Sequence, residues 1–172
     1  MAARSEAKRI EGGVQAAMMS RLLREVALIV CGALAVILLI ALLSYDRGDP
    51  AFSSTGQPGP VRNFIGPLGA WLADLFFVLF GAPAFLFPVL LGLAGWALYL
   101  ERKTREPIER RILALRGAGF AAALISSCGL ATLHFGGGHF PNTAGGLLGS
   151  MVGDGLASGM SFLGATLFLL AV

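Results

Sequence analysis

GAWLADLFFVLFGAPAFLFPVLLGLAGWALYL, residues 69–100, is an apolar run carrying a single acid, Asp74, and it is longer than any soluble helix needs. A bilayer's hydrocarbon core is about 30 Å thick and is crossed by about 20 helical residues at about 1.5 Å each. The run therefore reads as a membrane span. Trp71 stands at one rim and Trp96 with Tyr99 at the other, the level at which amphipathic rings settle among headgroups. Glu101, Arg102, Lys103 and Arg105 follow at once and mark where lipid ends. Pro83 and Pro88 lie inside the run, where each removes a backbone donor and presses on the preceding turn. We expect one kinked helix over 71–100, packed against neighbours that satisfy the freed carbonyls.

Composition agrees with that reading. Of 172 residues 56% are hydrophobic and only 13% are charged, against about 25% charged in a soluble domain. The mean hydropathy is +0.77. The net charge of +3 does not point to nucleic acid, because the basic residues stand beside apolar blocks, where membrane orientation accounts for them. Cys31 and Cys128 each fall inside an apolar block and read as small buried residues rather than as a disulfide or a metal site.

Outward from the central run, Val26–Leu43 is almost purely aliphatic and long enough to cross, with too long a charged leader before it for a secretory signal. Within that leader only Met18–Arg24 is expected to be helical. Residues 45–70 hold Pro50, Pro58, Pro60 and Pro67 among glycines, a density that marks an irregular loop. After the charged segment 101–116, where Pro107 and the pair Glu106–Arg110 suit a short surface helix, residues 117–133 form a third span. Its small residues Gly119, Ala123, Ser127 and Ala131 recur every fourth position, as a helix-packing ridge does in lipid. Gly145, Gly149 and Gly153 repeat the spacing within 134–158, which is read as a loop or an interfacial helix. Residues 159–172 begin another apolar run that ends before it could cross, so a fourth span is expected to continue past Val172.

Eleven of the thirteen Lys and Arg lie in the leader 1–24 or in 101–116, among them Arg21, Arg24, Arg102, Lys103, Arg105, Arg110, Arg111 and Arg116. The positive-inside rule places those segments in the cytoplasm and the loops 45–70 and 134–158 outside. The fold expected is all-α and polytopic. Its spans are 25–44, 71–100, 117–133 and an incomplete one from 159, with the N-terminus cytoplasmic.

Chemistry is sparse. Asp74 sits one turn from Trp71, so it reads as a rim residue bonding a neighbouring helix or loop rather than as a proton relay. His134 and His139 flank three glycines without an acid or cysteine nearby, which favours a solvated loop over a metal site. No catalytic or phosphate-binding motif is present, and neither cofactor nor enzyme is expected within these residues. A small transporter or channel subunit with a broken second span is the alternative, but Gly81–Pro88 offers it no polar side chain.

Three segments carry a resemblance: LLSYDRGDP at 42–50, NFIGPLGAWLADLFFVLFG at 63–81 and SSCGLATL at 126–133, with GGLLGS at 145–150 fitting the same pattern. From about Arg21 onward the chain resembles the N-terminal membrane domain of the FtsK/SpoIIIE septal DNA translocases. The resemblance implies an inner-membrane anchor for a hexameric, ATP- and Mg-dependent motor acting on double-stranded DNA, with self-association and division-septum proteins as partners. Some relatives carry histidines and an acid in the first outer loop; this chain has Gln57, Pro58, Gly59 and Pro60 there, so no metal role is carried over.

Overall fold

The computed structural model describes the backbone of residues 2–100 and 110–172. Every regular element among them is helical: α1 (Ala2–Leu43), α2 (Pro67–Phe80), a 3-10 turn (Ala82–Phe85), α3 (Leu86–Leu100), α4 (Arg110–His134) and α5 (Gly146–Ala171). Four stretches are long and apolar enough, by length and composition, to cross a membrane, namely Leu22–Leu43, Ala82–Leu100, Arg111–His134 and Gly146–Ala171, the last of them bent within its length. Large apolar side chains along them point outward, Ile29, Leu93, Leu115 and Leu167 among them, as lipid-facing residues do.

The helices pair as α1 with α3 and α4 with α5, and α2 bridges the pairs by touching both α1 and α5. Two observations make α1 and α3 antiparallel: Ala84 packs with Ala41 and Leu42, and Gly95 lies so close to α1 that an added Cβ would stand 2.8 Å from Cys31 Cβ. The buried cluster Ala41, Leu42, Ala73, Phe77 and Ala84 sits at the end of this pair. We call that end the cap.

The expected single helix over 71–100 is divided at Gly81, whose φ of +61° ends α2 and opens the 3-10 turn. At 14 residues α2 is about 21 Å long, too short to span, so the crossing segment is the 3-10 turn with α3. The prolines do not make the break. Pro83 opens the 3-10 turn and Pro88 is the third residue of α3, first-turn positions at which a helix tolerates proline.

Two further boundaries differ from expectation. Helix α1 starts at Ala2, well before Met18, because AARSEAKRIE is built from strong helix formers. Helix α4 starts at Arg110 rather than at 117, extending through ILALR, which has no breaker. The expected surface helix at 106–110 falls almost wholly outside the described residues.

Helix α5 bends once, at Ser161, whose φ of +67° and ψ of +164° are not helical. Before the bend, Gly145 and Gly149 both meet the carbonyl of Cys128 and the hydroxyl of Thr132, and Gly153 meets the carbonyl of Gly129. Residues 146–160 therefore cross α4 near one level instead of descending along it. After the bend, Phe162 stacks on His134 at 5.1 Å and Leu169 reaches Gly129. Residues 162–171 thus run antiparallel to α4.

Candidate functional site: a hydrogen-bonded cap on the helix ends

The last turn of α1 leaves carbonyls without helical donors, and the loop after it supplies them. Asn63 Nδ2 donates to the carbonyls of Ala41 at 2.8 Å and Ser44 at 3.3 Å, while its Oδ1 accepts from Ile65 N–H at 3.0 Å. Asn63 is itself held, because Asp49 accepts from the N–H groups of Arg62 at 2.8 Å and Asn63 at 2.9 Å. Both Asp49 and Asn63 are buried. A buried carboxylate with two backbone donors is satisfied at a strength a neutral acceptor would not reach.

A second clamp ties the loop to α2. Asp74 Oδ1 accepts from Tyr45 Oη–H at 2.8 Å and Oδ2 from Ser53 N–H at 2.6 Å. Its residue is 1% exposed. Burial first, and then the hydrogen bond to the Asp74 carboxylate, raises the Tyr45 phenol well above its ordinary range, so the phenol stays protonated and remains the donor. Tyr45 also packs edge-on against Phe77 at 4.9 Å, and Phe77 meets Phe85 and Phe140. On the loop surface Asp46 pairs with Arg62 at 3.0 Å. The Gly48 N–H and then the Arg62 guanidinium hold its carboxyl below the usual range.

The loop 135–145 closes the cap from the other helix pair. Ala82 N–H donates to the carbonyl of Ala144 at 2.7 Å, and the Cys128 thiol donates to the carbonyl of Phe80 at 3.4 Å. Gly81 has no room for a side chain, since an added Cβ would collide with the Ala144 carbonyl. Both ends of the α2–α3 break are therefore fixed to the α4–α5 pair.

Of the residues singled out by sequence, Asp74 is in the cap, bonded to a loop, with both oxygens engaged. Gly145, Gly149 and Gly153 face α4. On α4 itself Ala131 is buried and Ser127 half-buried, whereas Ala123 is exposed and Gly119 has open space around it. Within the chain the packing ridge of α4 shares Ala131 with that row and otherwise uses Leu124 and Cys128, with Gly129 against Leu169. Arg111 and Arg116, near the start of α4, are exposed, and Arg24, midway along α1 where its apolar span begins, is half-buried; all three lie away from the cap. Arg102, Lys103 and Arg105 lie outside the described residues. Cys31 and Cys128 are free, and the described residues contain no cluster of His, Cys, Asp or Glu able to hold a metal. Sequence reasoning missed Asp49 and Asn63. Their signal was available in an acid and an amide bracketing a Pro- and Gly-rich loop directly after a span.

Residues 20–172 match the family described as the 4TM region of DNA translocase FtsK/SpoIIIE. The chain is 36% identical over 155 residues to DNA translocase FtsK of Pseudomonas syringae pv. tomato, covering 87% of this chain and 19% of that protein. It is 36% identical over 148 residues to DNA translocase FtsK of Vibrio vulnificus, covering 86% and 15%. Against DNA translocase FtsK 2 of Ralstonia nicotianae it is 36% identical over 160 residues, covering 87% and 20%. The chain thus spans a fifth or less of the length of these relatives. No solved structure matches it. With four apolar helices and a family match over nearly its whole length, the chain belongs to the four-transmembrane region of the FtsK/SpoIIIE DNA translocases, a multi-pass inner-membrane region.

Proposed function

We propose that this chain anchors a DNA translocase in the inner membrane at the division septum, with the cap facing outward to other division proteins and α1 and α4 starting in the cytoplasm. The family match over residues 20–172 carries this reading. The charge asymmetry supports the sidedness, because Arg24, Arg111 and Arg116 stand where the spans of α1 and α4 begin, away from the cap. ATP- and Mg-dependent movement of double-stranded DNA belongs, in this reading, to the greater part of such a protein's length, and the membrane region contributes placement. Holding several copies in one septum raises their effective concentration for ring assembly.

Deleting the first outer loop would be a poor test, since Asn63 and Asp49 hold the end of α1. Phe64 and Leu68 are better targets: they are 84% and 67% exposed at the cap. Phe64→Ser with Leu68→Ser in a fluorescent full-length fusion is expected to leave membrane insertion intact and to lower septal fluorescence several-fold. Unchanged septal fluorescence would remove this surface from recruitment.

A further inference from the structure

We propose that the cap holds one anionic phospholipid, with an acyl chain in an aromatic slot beneath the first loop and the phosphate at Arg47 and His139. The slot is a cavity of about 430 Å³, within the range of small-ligand sites. Its floor is Leu42, Leu43, Phe77, Phe85 and Phe140, and Arg47 and His139 line it as well. The depth suits a lipid. Leu42 and Leu43 end the span of α1 and Phe85 lies near the start of the next, so the floor stands at the hydrocarbon boundary and the polar groups at headgroup level.

The polar groups at the cavity divide into occupied and free. Tyr45 donates its hydroxyl to Asp74. Asp46, the acid that also lines the cavity, is engaged by Gly48 N–H and Arg62, so its charge is largely offset. Among the described residues, the side chains of Arg47 and His139 make no hydrogen bond or ion pair, and both residues are exposed. A guanidinium with five free donors matches a phosphate bidentately. A free anion would leave the slot unfilled, and an uncharged tail would leave the guanidinium unmatched. A phospholipid satisfies both.

The test uses the full chain purified in mild detergent, with native mass spectrometry after reloading with phosphatidylglycerol or phosphatidylcholine of matched chains. One phosphatidylglycerol per chain is expected to survive at collision energies that strip phosphatidylcholine. Arg47→Glu and, separately, Leu43→Trp, which fills the slot, are each expected to lower that retention at least tenfold, while Arg47→Lys keeps most of it. Helical circular dichroism and melting of each variant establish that it folds, and His139→Ala serves if one does not. Equal retention of the two lipids, wild-type retention by Arg47→Glu, displacement of the lipid by millimolar inorganic phosphate alone, or a bound peptide in place of lipid would each overturn the proposal.

Discussion

The segments 67–100 and 146–171 have the same plan and are built differently. Each is a helix that stays near the cap, a residue with positive φ, and a second apolar helix antiparallel to a neighbour. In the first, the break falls on Gly81, which carries no Cβ, and the Ala144 carbonyl accepts the next N–H at 2.7 Å. In the second it falls on Ser161, a residue with a Cβ, exposed, in a region of φ and ψ that is close to glycine-only. The first break is fixed from outside by the opposite helix pair. The second is held by its own returning helix, through the Phe162 ring on His134 and Leu169 in the notch at Gly129. A turn can thus be specified by the residue that makes it or by the packing of the segment it returns.

The largest effect should come from breaking the first turn. Gly81→Ala adds a Cβ where the Ala144 carbonyl stands and asks alanine to adopt φ +61°. Strained φ costs about 1–3 kcal/mol and overpacking a similar amount, so a loss of about 3 kcal/mol or more is expected. Reversible unfolding in mixed micelles reads it. A change below about 1 kcal/mol would mean that α2 and α5 separate easily and that the bridge between the helix pairs is not rigid.

A smaller effect should separate the two glycine rows. At Gly149 an added methyl would run into the carbonyl of Cys128, while at Gly119 nothing lies within 4 Å. Gly149→Ala is expected to cost about 2 kcal/mol by forcing α5 off α4. Gly119→Ala should be neutral or stabilising by up to about 1 kcal/mol, because alanine is the better helix former. If Gly119→Ala left the stability of the single chain unchanged and yet weakened self-association, the open row would serve contacts between copies.

These residues also show how much of the molecule is legible in its sequence. Hydropathy gives the all-helical, multi-pass character directly, since a stretch such as Val26–Leu43 has no other stable environment. Asp74 is readable as a rim residue with a structural partner from its distance to Trp71, although the identity of that partner, Tyr45 with Ser53, requires the fold. The break at Gly81 is not readable. Prolines announce themselves, so Pro83 and Pro88 draw the expected kink, but a proline in a first turn costs a helix nothing. A glycine at positive φ looks like any of the 24 in the chain. The ridge of α4 is legible only at its cap end, where Ala131 is buried and Ser127 half-buried: spacing shows that residues share a face, and only the partner helix decides how much of that face is used. Here the buried face holds Ala131 from that row together with Leu124 and Cys128 beside it.

The smallest expected effect sharpens the comparison by making the second break resemble the first. Ser161→Gly removes the Cβ that makes φ +67° unfavourable, relieving about 1–3 kcal/mol of local strain, and sets against it the extra freedom glycine gains in the unfolded chain, about 1 kcal/mol. The net expectation is a gain of about 1 kcal/mol in micelle unfolding, with an unchanged fold. Ser161→Ala keeps the Cβ and should show no such gain, which separates backbone relief from loss of the hydroxyl. If Ser161→Gly instead lowered stability, the strain would be absent in solution and residues 146–171 would run on as one straight helix. Leu169 would then move away from Gly129, and the packing that we assign to the second break could not be the force that holds it.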